Sequence, residues 1–196
     1  MSARTSVVYA VVLALAPVAA CSGAGEQGAA AAMDGGTEGG AEEGGTCADG
    51  EMAAILAATN QAEVDATMQL RASLVDPKAV DLAEKMLTDH ALVLEQLQGA
   101  MRAGAIASRS GGISQAIADA AEHDRTTIAA STSIDSAYAD REVLWHVRDQ
   151  ALLDTVVAPA VRGTRLAFVA TSMQDLEKQH VALALALQGE LDATCR

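Results

Sequence analysis

Aromatic residues are almost missing, with one Phe, one Trp and two Tyr in 196 residues. A core with so few rings must be filled by aliphatic side chains and alanine. Proline is scarce as well, with only Pro17, Pro77 and Pro159, so long helices can run unbroken between them. β-branched runs of period two, the mark of half-buried strands, are absent. Positive charge is short too: 13 Lys and Arg stand against 26 Asp and Glu, a formal net charge of −13. That balance argues against nucleic acid as a partner, because nucleic acid needs a basic footprint. No nucleophile elbow, phosphate-cradling loop or zinc-protease histidine pair is visible.

What is present begins with the amino terminus. Arg4 is the only charge in the first 25 residues, and Val7 to Ala20 is apolar apart from Tyr9 and Pro17. A short positive start followed by such a run has signal-peptide form. The run falls short of the roughly 20 apolar residues that a spanning helix requires. It ends Val18-Ala19-Ala20-Cys21, which resembles a bacterial lipobox. Residues 1–20 are therefore expected to be removed and Cys21 to be lipidated. Two or three acyl chains anchor firmly, since each buried CH₂ contributes about 0.8 kcal/mol. Ser22 after the cysteine leans towards the outer membrane. The expected location is the bacterial cell envelope, with the membrane contacted through the anchor and the protein facing the periplasm.

Residues 21–46 read as a tether. From Ser22 to Thr46 there are nine Gly, five acidic residues and no Lys or Arg. Such a stretch buries too little surface to offset its ordering entropy, and disorder is expected. Residues 47–196 suit one domain, and here apolar residues recur at three and four, the amphipathic-helix period. Four long helices are expected. The first runs from about Gly50 to Leu74, with the seam Met52, Leu56, Thr59, Glu63, Ala66, Leu70 and Leu74. Asp76 and Pro77 cap and open the second, which reaches about Met101 through Ala83, Leu87, His90, Leu94 and Leu97, and Gly104 ends it. Ser108 to Gly112 make a loop. Ile113 to His123 form either a short helix or the first turns of the third, which is expected over Thr126 to Val157. Pro159 and Gly163 break the chain. The fourth helix runs from about Thr164 to Leu191 along Leu166, Val169, Met173, Leu176, His180, Leu183 and Leu187. Short connections favour an up-down-up-down four-helix bundle.

Polar residues stand on these seams where a bundle would use leucine. Glu63, His90 and His180 lie in register, and His146 lies within about 40° of the third seam. Measured from the Asp76/Pro159 end at about 1.5 Å per residue, their depths are roughly 18, 20, 17 and 24 Å in the order Glu63, His90, His146, His180. One polar residue from each helix thus falls in nearly one layer. Imidazole and carboxylate are ligands for one transition metal, and bundle cores are where such sites are built. The same residues could equally form a buried hydrogen-bonded network that fixes helix register. His123 sits in Glu-His-Asp and is expected at the surface. The domain methionines fall largely on seams as core filler.

The stretches Asn60-Gln-Ala-Glu63-Val and Ala83-Glu-Lys-Met86-Leu-Thr-Asp89-His90 resemble the first half of a bacterial envelope family, domain of unknown function 4142, whose members are often labelled outer membrane proteins. The second half matches in Ile134-Asp135-Ser-Ala-Tyr138, with His146 eight residues on, and in Leu176-Glu-Lys-Gln-His180. The resemblance covers residues 50 to 191 and implies a ferritin-like bundle with no assigned activity. Ferritin-like diiron sites take Glu-x-x-His from two helices and a Glu from each of the others. Glu177 and His180 supply one such pair and Glu142 could supply a further Glu, but Leu87 stands where the Glu before His90 belongs. A two-metal redox enzyme is therefore disfavoured. A protein that holds one metal or small ligand, or a metal-free structural or interaction protein of the envelope, fits better. Asp89, Tyr138, Glu142 and Glu177 are the expected supports of the Glu63, His90, His146 and His180 set.

Cys47 and Cys195 flank the domain, and in an up-down-up-down bundle they meet at one end. The envelope outside the inner membrane is oxidising, so a Cys47–Cys195 disulfide is expected, stabilising by about 4 to 5 kcal/mol on the loop-entropy account.

Overall fold

Thr46 starts the ordered helices by a reciprocal pairing with Asp49. The Asp49 amide donates to Thr46 Oγ1 at 3.1 Å, and the Thr46 amide donates to Asp49 Oδ2 at 3.1 Å. This capping box satisfies two amides that a helix start leaves unpaired. From here the computed structural model describes residues 46–194, and no strand occurs among them. α1 spans Cys47–Leu70 and tightens into a 3-10 turn, Arg71–Ser73. α2 is Pro77–Ala103, with Asp76 Oδ1 accepting from the Lys78 amide at 2.8 Å. α3 is Gly112–Ala129 and α4 is Ile134–Leu152. α4 widens into a π-helical stretch, Leu153–Val157, before the short α5, Ala158–Ala160. α6, Thr164–Thr194, completes the order.

The chain is all-α, with its first two helix boundaries and its last close to expectation. The segment around Ile113 to His123 proves to be a helix of its own, so among the described residues five long helices stand where four were expected. The extra helix reverses the last one: α6 begins beside the start of α1, where Asp49 Oδ1 accepts from the Arg162 and Gly163 amides, rather than ending there. Thr126 to Ala129 belong to the end of α3 rather than to the start of the next helix. The break falls at Ser131-Thr132-Ser133, where Ser131 Oγ accepts from the Ser133 amide at 3.2 Å. Short hydroxyl side chains that bond to nearby backbone compete with helix continuation.

α1 packs along both α2 and α3, α2 packs along α6, and α6 along α4. Two neighbours explain why α1 is buried more broadly than its seam requires, through Ala53, Ile55, Asn60 and Thr67 as well. At its first turn the loop after α2 crosses closely. The Gly50 carbonyl accepts from the Arg109 amide at 2.9 Å, and a Cβ on Gly50 would stand 2.4 Å from the Ala107 carbonyl oxygen. On α2 the buried stripe runs through Leu82, Met86, Val93 and Ala100, leaving Leu87 and Leu94 half-buried. On α6 Glu177 and Ala184 turn inward, while Leu176 is half-buried and Leu183 exposed. A 3.6-residue period drifts across a seam drawn from the nearest leucines.

The apolar core comes in two parts. One gathers Leu56, Leu97, Trp145, Leu166 and Met173. The other gathers Leu70, Leu82, Met86, Tyr138 and Leu187. Along α1, α2 and α6 a set of buried polar residues falls between the two. Glu63 and Thr67 separate Ala62 from Leu70, His90 separates Met86 from Val93, and Glu177 and His180 separate Met173 from Ala184.

Candidate functional site

The polar layer holds three histidine rings in mutual contact. The His90 and His146 rings are 5.5 Å apart and stacked. His180 stands 5.0 Å from His90 and 4.9 Å from His146, centroid to centroid. All three residues are buried. One ligand-type nitrogen from each lies within 4.8 Å of the other two.

The hydrogen bonds fix the state of each ring. Asn60 Nδ2 donates to the Leu56 carbonyl at 2.7 Å and contacts Met173 Sδ at 3.2 Å, so its Oδ1 is the free acceptor. His90 Nδ1 donates to that oxygen at 2.9 Å. Its Nε2, left with the lone pair, is buried and has no hydrogen-bond partner. Burial pushes the His90 pKa down to about 4, against the pull of Glu63 and Glu177, so the ring is neutral. His180 mirrors this arrangement. Its Nε2 donates to Asp89 Oδ2 at 2.8 Å, and its buried Nδ1 is unpartnered. Burial outweighs the Asp89 hydrogen bond and lowers its pKa. Asp89 is partly exposed and is also paired with Lys85 at 2.8 Å.

His146 is the opposite case. Nδ1 is 2.5 Å from Glu177 Oε2 and Nε2 is 3.2 Å from Glu142 Oε2. Burial opposes its charge, but the two carboxylates win and raise its pKa well above the ordinary value, so it is an imidazolium. The remaining oxygen of Glu177, Oε1, is buried without a hydrogen-bond partner.

Glu63 does not join the other two histidines. It groups instead with Glu142 and His146, one atom of each lying within 4.8 Å of the others. Its Oε1 accepts from Thr67 Oγ1 at 2.7 Å, and its Oε2 from Arg141 Nη1 at 2.6 Å. Arg141 Nη1 also donates to Glu142 Oε1 at 2.6 Å. Burial alone would raise the Glu63 pKa; Arg141, His146 and His90 together hold it far below the carboxylate range. Glu142 is raised, by burial and then by Glu63. Asp149, one turn beyond His146, is pushed up to about 7 by burial and by Glu177, against Arg148. Tyr138 is buried near Glu142 and Glu63, and burial first, then these charges, raise its phenol. Four interior carboxyl groups, Glu63, Glu142, Asp149 and Glu177, therefore face two interior cations, Arg141 and His146, and the half-buried Arg148 3.5 Å from Asp149.

Sequence reasoning missed Asn60, Arg141 and Asp149. Asn60 and Asp149 follow the 3/4 spacing, three residues before Glu63 and three after His146, so extending the seams would have found them. Arg141 also follows that spacing, three residues after Tyr138 and four before Trp145, but a long cation at such a position reads as surface; here it is buried, with its guanidinium 4.4 Å from the centre of the Trp145 ring. His123 is exposed, as expected. Leu87 is half-buried and brings no carboxylate to the layer. Among the described residues Cys47 forms no disulfide, and its Sγ accepts from Arg109 Nη1 at 2.8 Å. The expected Cys47–Cys195 pairing does not fit this fold: Asp49 meets Gly163 at the start of α6, and 31 residues of helix separate that end from Thr194. Cys195 and Cys21 lie outside the described residues, as do the signal segment and nearly all of the tether.

No helix of the described residues is long and apolar enough to cross a membrane. A family model described as Domain of unknown function (DUF4142) matches residues 35–187. No curated protein and no solved structure matches the chain.

Proposed function

The chain belongs to the domain of unknown function 4142 family, and on that premise we propose that it is a lipid-anchored envelope protein whose helices hold one transition-metal ion on His90, His146 and His180. The observation that carries this reading is the pair of orphaned ring nitrogens. His90 Nε2 and His180 Nδ1 are buried lone pairs with no partner. Each ring's other nitrogen is tied to an oxygen acceptor, Asn60 or Asp89. Metal-binding histidines have this arrangement, because the outer hydrogen bond sets tautomer and ring orientation. Three imidazoles suit zinc, copper, cobalt, nickel or iron. Glu177 Oε1, also unpartnered, is an available carboxylate donor.

The charge of the layer supports the same reading. With Arg148 counted beside Asp149, 3.5 Å away, its carboxyl groups outnumber its cations by one, four against three, when all are ionised. When His146 gives up its proton to become a ligand the excess becomes two, which a divalent ion would meet. Without the ion, His146 keeps its proton and the raised Asp149 carboxyl meets the remaining charge. The metal-free reading, an envelope structural or interaction protein, draws on the hydrogen bonds that Arg141 and His146 already make within the layer.

Elemental analysis tests the choice, on full-length protein extracted from envelopes in detergent and carrying no histidine tag. Close to one transition metal per chain, lost in His90→Ala and in His180→Ala, is the expected result. No metal as isolated, with no visible absorption band on Co²⁺ titration, would overturn it. The anchor has its own test: Cys21→Ser should move the protein from the membrane fraction to the soluble one.

A further inference from the structure

Beside the three histidines stands a second group of ligand-type atoms, from Glu63, Glu142 and His146. It shares His146 with the first. Two carboxylates and an imidazole make a cation site in their own right, and two adjoining sites with a common residue have the plan of a two-metal centre. In this chain a cation already stands on the second group. Arg141 Nη1 is 2.6 Å from Glu63 Oε2 and 2.6 Å from Glu142 Oε1, so one nitrogen bridges two carboxylates.

The way the guanidinium is used is unusual. Arginine normally meets a carboxylate with two parallel N–H bonds. Here Nε and Nη2 are both buried without a hydrogen-bond partner, and a single nitrogen contacts both acids. The side chain delivers one point of positive charge to one position. The Trp145 ring packs 4.4 Å from the guanidinium carbon, while Arg148 packs 3.7 Å from the same ring.

We propose that Arg141 is a built-in cation that closes a second metal position, so that the chain takes one ion where its two adjoining ligand groups would otherwise take two. The inference rests on the histidine site being a metal site, but it fails separately.

The test counts metal by equilibrium dialysis of the full-length chain against Co²⁺, followed by elemental analysis. The wild type should hold one ion, Arg141→Gln two, and Arg141→Gln combined with Glu142→Gln one again. Arg141→Lys, which keeps a cation, should stay at one. So should Glu142→Gln alone, because in the native background that carboxylate serves the arginine. One ion in both wild type and Arg141→Gln would overturn this inference and leave the histidine site standing. None in the wild type, whether or not Arg141→Gln binds one, would overturn the histidine site and with it this inference. If Arg141→Gln does not fold by itself, it should refold in Co²⁺ with two ions bound. A chain that stays unfolded in Co²⁺ would also overturn the proposal, since a second ion should restore the lost buried charge.

Discussion

His90 and Asn60 are joined across α1 and α2 by one hydrogen bond of 2.9 Å that leaves the outer side of the imidazole spoken for and the inner nitrogen bare. Asn60 can serve only as acceptor there, because its own amide nitrogen is held by the Leu56 carbonyl. Asp89 does the same for His180. Truncating an outer partner of a metal-binding histidine typically costs about 10- to 100-fold in affinity. Asn60→Ala and Asp89→Ala should each weaken Co²⁺ or Zn²⁺ binding by that order without changing the stoichiometry. A competition titration against a chromophoric chelator reads the change, and unaltered affinity in both would count against the metal reading.

Asp149 gives a dependence on pH. Its carboxyl is held up to about 7, chiefly by burial, while an unfolded Asp ionises near 3.8. A raised pKa means the folded state binds the proton more tightly. The resulting stabilisation is complete below about 4 and is lost as pH rises to about 7, a matter of a few kcal/mol at most. Asp149→Asn is close in shape and does not titrate. Its stability relative to wild type should therefore improve steadily between pH 4 and 7 and level off above. Urea unfolding of both proteins at pH 4.5 and pH 8 checks this; a constant difference between them would contradict it.

Asp49 has the opposite sign. Burial works to raise its pKa, but hydrogen bonds from the Arg162 amide, from Thr46 and from the Gly163 amide outweigh burial and lower it. Its stabilisation is present above the ordinary carboxylate range and fades as pH falls through its own lowered pKa. Asp49→Ala also strands the Arg162 and Gly163 amides, which lie 2.9 and 3.2 Å from Oδ1. The expected cost at pH 7 is about 2 to 3 kcal/mol, as for hydrogen bonds to a charged group. Denaturation midpoints should converge with wild type in acid, and a gap that persisted at pH 2 would show that the loss is not ionic.

Two glycines in helices should respond in opposite directions. Gly50→Ala would push its Cβ to 2.4 Å from the Ala107 carbonyl oxygen, whereas a Cβ on Gly99 in α2 would meet nothing within 4 Å beyond its own stretch of helix backbone. Overpacking costs about 1 to 3 kcal/mol, and replacing a helical glycine by alanine gains about 0.5 to 1 kcal/mol. Gly50→Ala should lower the melting temperature and Gly99→Ala should raise it. Equal shifts would mean that the loop after α2 yields freely.

The polar layer was legible because a leucine seam makes any carboxylate or imidazole on it conspicuous. Glu63, His90, His146 and His180 were given similar depths from a shared Asp76/Pro159 end, but Lys78 pairs with Glu190 and Gly163 meets Asp49, so those two turns lie at opposite ends. The layer holds because each residue stands well inside its helix. Their grouping was not legible. Sequence depth treats the four as one set, whereas Arg141 draws Glu63 towards Glu142 and away from His90 and His180. That outcome depends on how far a long side chain can reach, which no periodicity encodes. The break at Ser131 to Ser133 escaped notice for a related reason, since Thr126 to Ala129 continue a helical pattern and local hydroxyl bonding ends it only afterwards. α3 itself stood in the sequence as an open alternative, because a helix packed mainly through Ile117, Ala121 and Ile128 has a thin apolar face.

Asp49 also has a mechanical meaning. Its two oxygens grip Thr46 on one side and the backbone of Arg162 and Gly163 on the other, joining the first residue of α1's cap to the chain that leads into α6. A pull arriving along the chain ahead of Thr46 would be shared at once between the first helix and the last, instead of peeling α1 away turn by turn. Loading in shear across two helices resists force better than unzipping one, so the upstream chain joins the fold at a point tied to both.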